Sequence, residues 1–191
     1  VHREGEWMKS SELLTDAFGR VGEVVHAVLV DITPEQLAYQ VKPGSNSIAW
    51  LVWHLSRVID DHLAAASERI SGSAYPSQVW KAGGYLERFS LPFQPDATGY
   101  GQGAGEVAAL GSVPALLLLE YYDAVSRQAI EFLDGVRDED LGRIVDSSWN
   151  PPVTLAVRLV SVLSDALQHA GQAAFLRGIA GLSLTGSETA G

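Results

Sequence analysis

Apolar side chains recur at steps of three and four residues in four separate stretches of this sequence, and no stretch alternates convincingly between apolar and polar. That spacing returns each side chain to one face of a helix, whereas a half-buried strand needs a period of two. The chain must therefore bury helical stripes against one another. From about Ser10 to Ile32 the stripe is Leu14, Ala17, Phe18, Val21, Val25 and Val28. Gly19 and Gly22 lower the helix propensity here, so packing has to hold this helix, and Ser10 or Ser11 can cap it. From Ser47 to Ile70 the stripe is Ile48, Leu51, Val52, Leu55, Val58, Ile59 and Leu63. From Val113 to Val136 it is Leu118, Tyr121, Tyr122, Val125, Ala129, Phe132 and Leu133, with Pro114 in the first turn. The last helix runs from Leu155 to Arg177 behind a Thr154 N-cap. Its apolar set is Val157, Leu159, Val160, Val162, Leu163, Ala166, Leu167, Ala170, Ala173 and Phe175. Gly178, Gly181 and Gly186 dissolve the pattern, and residues 183–191 read as a frayed tail. The expected fold is all-α: a four-helix bundle, one domain over residues 1–191.

The connection between the second and third helices, residues 71–112, is overlong for a compact domain and rich in glycine and proline. It also carries Trp80, Tyr85, Leu86, Phe89, Phe93 and Tyr100, an aromatic content that argues for order. The reading is an ordered loop lying over the bundle, with a short helix near Gln78–Arg88, and Trp80 and Tyr100 shaping access to a pocket. Pro34–Leu37 reads as one helical turn. Leu141, Ile144 and Val145 are too few for another helix, and Asp146 to Pro152 read as a turn.

Inside the apolar pattern of the last helix sit Asp165 and His169, four residues apart and so on one face. Val162 and Ala166 share that face, which points both polar side chains at the core. In the second helix, Val58 lies ~40° and Leu51 ~60° around the axis from His54, so this imidazole also faces inward. Buried polar groups need partners, a carboxylate above all. Two answers satisfy the pattern. One is an internal hydrogen-bonded cluster. The other is a divalent metal held by His54, Asp165 and His169 with one position open: a zinc-like ion, or nickel or ferrous iron. Gln172, three residues after His169, can orient that imidazole. Arg158 shares the His169 meridian and can bind a carboxylate. Asp60 and Asp61 read either as part of a solvated helix face or as further acidic candidates near His54. His26 reads as a surface or boundary residue, and His62 lies at the end of the apolar stripe.

The formal charge of −10 argues against nucleic acid and against an anionic membrane surface. No apolar run approaches the ~18–20 residues of a membrane span, and residues 1–10 lack the apolar run of a signal peptide. The absence of cysteine excludes disulfides, thiolate metal sites and thiol nucleophiles, and fits the cytoplasm. Any thiol chemistry must use a thiol from outside. There is no phosphate-binding loop, dinucleotide fingerprint or nucleophile elbow. The Gly99-x-Gly101-x-Gly103-x-Gly105 run is a flexible-loop signal.

Three blocks carry a family resemblance. They are Asn46-Ser-Ile-Ala-Trp-Leu-Val-Trp-His54-Leu-Ser-Arg57-Val-Ile-Asp60-Asp61, Gly99-Tyr-Gly-Gln after Leu91-Pro-Phe-x-Pro95, and Trp149-Asn-Pro-Pro-Val-Thr through Arg158 and Asp165-Ala-Leu-Gln-His169-Ala-Gly-Gln172 to Arg177-Gly178. They resemble the DinB-like (YfiT-like) metalloenzyme superfamily, and most closely its actinobacterial branch, which is similar to the metal-binding domain of mycothiol-dependent maleylpyruvate isomerase. The resemblance implies a four-helix bundle whose metal is held by one histidine of the second helix, here His54, and a pair on the fourth. That pair is often His-x-x-x-His in the wider superfamily and Glu-x-x-x-His in the isomerase-like branch; here it is Asp165-x-x-x-His169. Asp60 matches an acidic position after the helix-two histidine. Relatives with known activity use a low-molecular-weight thiol such as mycothiol or bacillithiol. The implied function is a metal-dependent thiol S-transferase of small electrophiles, with a metal-binding bundle lacking turnover as the alternative. Relatives also suggest a homodimer.

Overall fold

The computed structural model describes residues 8–71 and 77–185. Its long helices are α1 (Ser10–Leu29), α3 (Ile48–Ser71), α7 (Ala115–Asp134) and α8 (Leu155–Thr185). Helix α3 packs on α7 and α8, and α1 packs on the same two, so α1 and α3 stand on one diagonal of the bundle. Between them run α2 (Pro34–Leu37), α4 (Val79–Ala82), α5 (Tyr85–Phe89) and α6 (Ala104–Ala109). The architecture is the all-α bundle expected from the stripes.

The long second connection is ordered over its described residues, and it changes the character of α3. Every residue from Ser47 to Asp60 is buried, not only those on the apolar stripe. The reason is the cover formed by residues 77–112, whose Trp80, Phe89 and Phe93 pack with Trp53 of α3 and Tyr121 of α7 at ring separations of 5.1–6.2 Å. The single short helix expected near Gln78–Arg88 is two, α4 and α5, parted by Gly84 in the left-handed region at φ 69°. Residues 72–76 of this connection lie outside the described residues.

Three expectations need correction. Helix α1 is not capped by Ser10 or Ser11: Lys9 holds the cap position, and the Glu12 and Asp138 carboxylates accept from the N–H groups of Lys9 and Ser10 at 3.0 and 3.3 Å. Acidic oxygens at a helix N-terminus satisfy the free donors and the dipole together. A two-stranded hairpin exists where none was expected: β1 (Ile144–Asp146) pairs antiparallel with β2 (Val153–Thr154). Strands of three and two residues are too short to display an alternation. Finally, α8 runs through Gly178 and Gly181 to Thr185 rather than ending near Arg177. Two glycines cost roughly 2 kcal/mol in propensity, but Ala173, Leu176 and Ala180 are buried in the bundle, and that packing holds the turn. Arg177 donates to the carbonyls of Ala27, Val28 and Val30, closing the C-terminus of α1. Residues 183–185 are thus helical, and 186–191 of the expected tail lie outside the described residues.

Candidate metal centre

The pairing of α3 with α8 brings His54 opposite Asp165 and His169. One ligand atom from each of the three lies within 4.8 Å of the others. His54 Nε2 is 4.0 Å from Asp165 Oδ2, and His169 Nε2 is 3.5 Å from Asp165 Oδ1. The second nitrogen of each imidazole is already committed. His54 Nδ1 meets the Thr98 carbonyl at 2.5 Å, and a carbonyl only accepts, so the proton is on Nδ1. His169 Nδ1 likewise faces Gln172 Oε1 at 3.0 Å. In their neutral forms both rings therefore turn an Nε2 lone pair toward the carboxylate. This is the arrangement in which an outer hydrogen bond fixes the tautomer of a ligating histidine.

The cradle around His54 is tight. The Trp50 ring stacks on the imidazole at 4.5 Å, and its indole N–H is held by Gln102 Oε1 at 2.7 Å. Tyr100 and His169 meet the His54 ring edge-on at 5.1 and 4.8 Å. Gly99 adopts φ 111°, and a Cβ there would collide with His54 Nδ1 and Trp50. Glycine is required on both counts.

Charge is distributed unevenly over the three donors. Burial pushes His54 below the usual imidazole value, with nearby His169 adding to the effect, so it is poised neutral. The Asp165 carboxylate, helped by Gln172, raises His169. Burial works to raise Asp165, but the neighbouring imidazoles, His169 first, outweigh it and hold the carboxyl below its usual range.

Whether an ion fits can be tested on one atom. Asp165 Oδ2 is buried and accepts no hydrogen bond. An ionised oxygen in that state is costly unless a cation meets it. Two nitrogens and one oxygen form a donor set typical of a catalytic zinc site, with nickel and iron also suited. Tetrahedral bonds of ~2.0–2.1 Å place ligand atoms roughly 3.3 Å apart. The His169–Asp165 separation of 3.5 Å is close to that, while His54 and Asp165 at 4.0 Å must draw together. The residues fit a small divalent ion.

A model of the DinB superfamily matches residues 17–173. The chain belongs to the DinB superfamily. It is similar to the crystal structure of a conserved protein from Enterococcus faecalis, 28% identical, with a TM-score of 0.79 over 90% of this chain and 96% of that one. No curated protein matches it.

In this DinB-superfamily chain a cavity of about 250 Å³ reaches Asp165 and is walled by His62, Tyr100 and Ser161. The same three residues border a larger cleft of about 860 Å³ that continues past Asp61, Arg69, Asp146, Trp149 and Arg158. Arg158 spans this cleft: it donates to Asp146 Oδ2 at 2.6 Å and faces His62 Nδ1 at 3.4 Å. Ser148, and then Arg158, hold Asp146 below the usual carboxylate range against its partial burial. His62, set aside in the sequence as the end of a stripe, is thus a wall of both cavities. Burial, followed by the Arg158 charge, lowers its pKa.

Of the other sequence candidates, Gln172 lies against His169, and Tyr100, Asp61 and Arg158 line the cavities. Trp80 does not. It is 2% exposed within the aromatic cluster, its N–H bonded to the Pro95 carbonyl. A large ring on an apolar cover is worth more in the core than beside a polar cleft. Asp60 is also displaced from its expected role. Its oxygens accept from Val79 N, Trp80 N, Tyr121 and Arg57 rather than touching the imidazoles. His26 pairs at the surface with Asp123 at 2.8 Å. The supports that sequence reading missed are Thr98, Gly99, Trp50 and Gln102. The Gly99-Tyr-Gly-Gln block pointed to Gly99 and Gln102, and the His54 block holds Trp50; no signal pointed to the Thr98 carbonyl.

Among the described residues no single helix is long and apolar enough to cross a membrane.

Proposed function

We propose that this chain is a metal-dependent enzyme that transfers a low-molecular-weight thiol, of the mycothiol type, to small electrophiles. The observation that carries the reading is the convergence of His54, Asp165 and His169 around the unpaired Asp165 oxygen at the end of an open cleft. His54, Asp165 and His169 would hold the ion: zinc, with nickel or ferrous iron accepted by the same donors. A bound divalent ion would supply the positive charge that favours the thiolate form of a coordinated thiol. The resemblance of the sequence blocks to the isomerase-like branch suggests the choice of thiol, and the lack of any cysteine means the sulfur must come with the co-substrate.

The chain's own residues have distinct tasks. Thr98 and Gln172 keep the two Nε2 atoms free and aimed inward. The two cavities admit a thiol and a second molecule side by side, with Tyr100 and His62 at their junction. Arg158, held by Asp146, offers a fixed guanidinium edge to an oxygen of the electrophile. In the transfer, sulfur bonds to the electrophilic carbon as that carbon releases its leaving group, and the thiol proton goes to solvent water in the cleft.

Elemental analysis and zinc titration test the reading at its root. We expect one ion per chain, lost in His54→Ala and Asp165→Ala. Because the chain has no thiol of its own, a thiol-colour reagent reports consumption of the co-substrate without background. A protein that takes up no metal would overturn the proposal. One that binds metal but consumes no thiol across a broad panel of electrophiles would leave a metal-binding bundle without this turnover.

A further inference from the structure

We propose that Arg57 is a positioning residue for the candidate centre: it clamps the backbone at Ala97 so that the adjoining Thr98 carbonyl meets His54 Nδ1. The inference rests on reading His54 as a ligand. Arg57 lies one turn beyond His54 on α3 and is fully buried. Its Nε donates to the Ala97 carbonyl at 3.0 Å. One terminal nitrogen donates to Asp60 and Tyr121, each at 3.3 Å, and the other to Gln78 at 3.2 Å. The guanidinium also sits over the Trp80 ring at 5.2 Å. Asp60 completes the unit by accepting from Val79 N and Trp80 N, both at 2.8 Å.

A buried ion pair is a poor device for stability alone, since apolar side chains of similar volume often serve as well. What a guanidinium provides is direction, because its five N–H groups form a rigid fork. Here the terminal nitrogens are fixed by Asp60, Tyr121 and Gln78, which aims the Nε–H at Ala97 within residues 90–103, a stretch without helix or strand. Nothing periodic fixes the backbone there, yet Thr98 O has to sit 2.5 Å from an imidazole. Arg57 grips the carbonyl immediately before it, and Gly99 removes the Cβ that would push this segment away. Residues 54, 57 and 60 of one helix thus form a ligand, a clamp and the clamp's counter-charge.

The test compares Arg57→Met with Tyr121→Phe. The second variant removes a hydroxyl from the same buried network but leaves the bond from Arg57 to Ala97. Two signals are read: the exchange-protected His54 Nδ1–H resonance in metal-free, nitrogen-15-labelled protein, and cobalt(II) affinity followed by visible absorption. We expect Arg57→Met to lose the protected resonance and to bind cobalt at least about tenfold more weakly, as loss of a ligand's outer partner does. Tyr121→Phe should lower Tm while keeping both signals. If Arg57→Met does not fold, Arg57→Lys retains the buried charge without the fork and should move both signals in the same direction. A folded Arg57 variant with an unchanged resonance and affinity would overturn the clamp. So would a loss of affinity in both variants in step with Tm. A wild-type protein that binds no cobalt counts against the function proposed above, while the proton resonance still decides the clamp.

Discussion

At the scale of single residues, the two imidazoles differ in what they must release to bind an ion. Burial favours the neutral form of His54, whereas Asp165 favours the protonated form of His169, whose proton has to leave before that nitrogen can hold an ion. Metal affinity should therefore fall as pH drops through the raised His169 value, by up to about tenfold per pH unit for one proton, and level off above it. Calorimetric titrations from pH 5 to 8.5 check this slope. Without metal the signs separate. The His169–Asp165 attraction stabilises the fold fully below the ordinary imidazole value of ~6.5 and is lost as pH rises through the raised His169 value. His54 acts the other way, costing stability as pH falls below ~6.5 toward its lowered value. The three donors are legible in the sequence because polar residues on an apolar helical stripe have few reasons to be there. The Thr98 carbonyl is not legible, since a backbone acceptor carries no residue identity. Asp60 is legible as an acidic candidate near His54, but neither its burial nor the neighbours that take its oxygens can be read there.

At the scale of elements, the cover over α3 owes its order to aromatic packing rather than to its short helices, which have four to six residues. Trp80→Ala should cost about 3–5 kcal/mol, as large-to-small changes in a packed core do. Urea unfolding checks it, with an unchanged slope showing that the midpoint shift is stability. The four long helices can be read from sequence because each carries its stripe over about four turns or more. Elements below that length can be read less well. The hairpin has too few residues to alternate, and the end of α8 is decided by Ala180 and Arg177 contacts with other helices, which local glycine propensity does not reveal.

At the scale of the whole molecule, the outward face of α8 stands apart. Val157, Val160, Leu167 and Phe175, expected to help fill the core, are exposed along it. Among the described residues of α8, none of those classed as exposed is charged. In a chain of net charge −10, two copies repel least through such a face. We propose that two copies pair there. Sedimentation equilibrium should give a dimer mass, and Phe175→Glu should return a monomer; a wild-type monomer at micromolar concentration would remove the idea.

The burial of α3 on all sides from Ile48 to Asp60 has a kinetic corollary. The His54 side chain is 2% exposed, while Asp165 and His169 retain 24% and 18%. Ions then come and go through the cavity that reaches Asp165 between His62, Tyr100 and Ser161. Bulk added at that threshold would slow loading and stripping by chelators alike, leaving the equilibrium between them where it was.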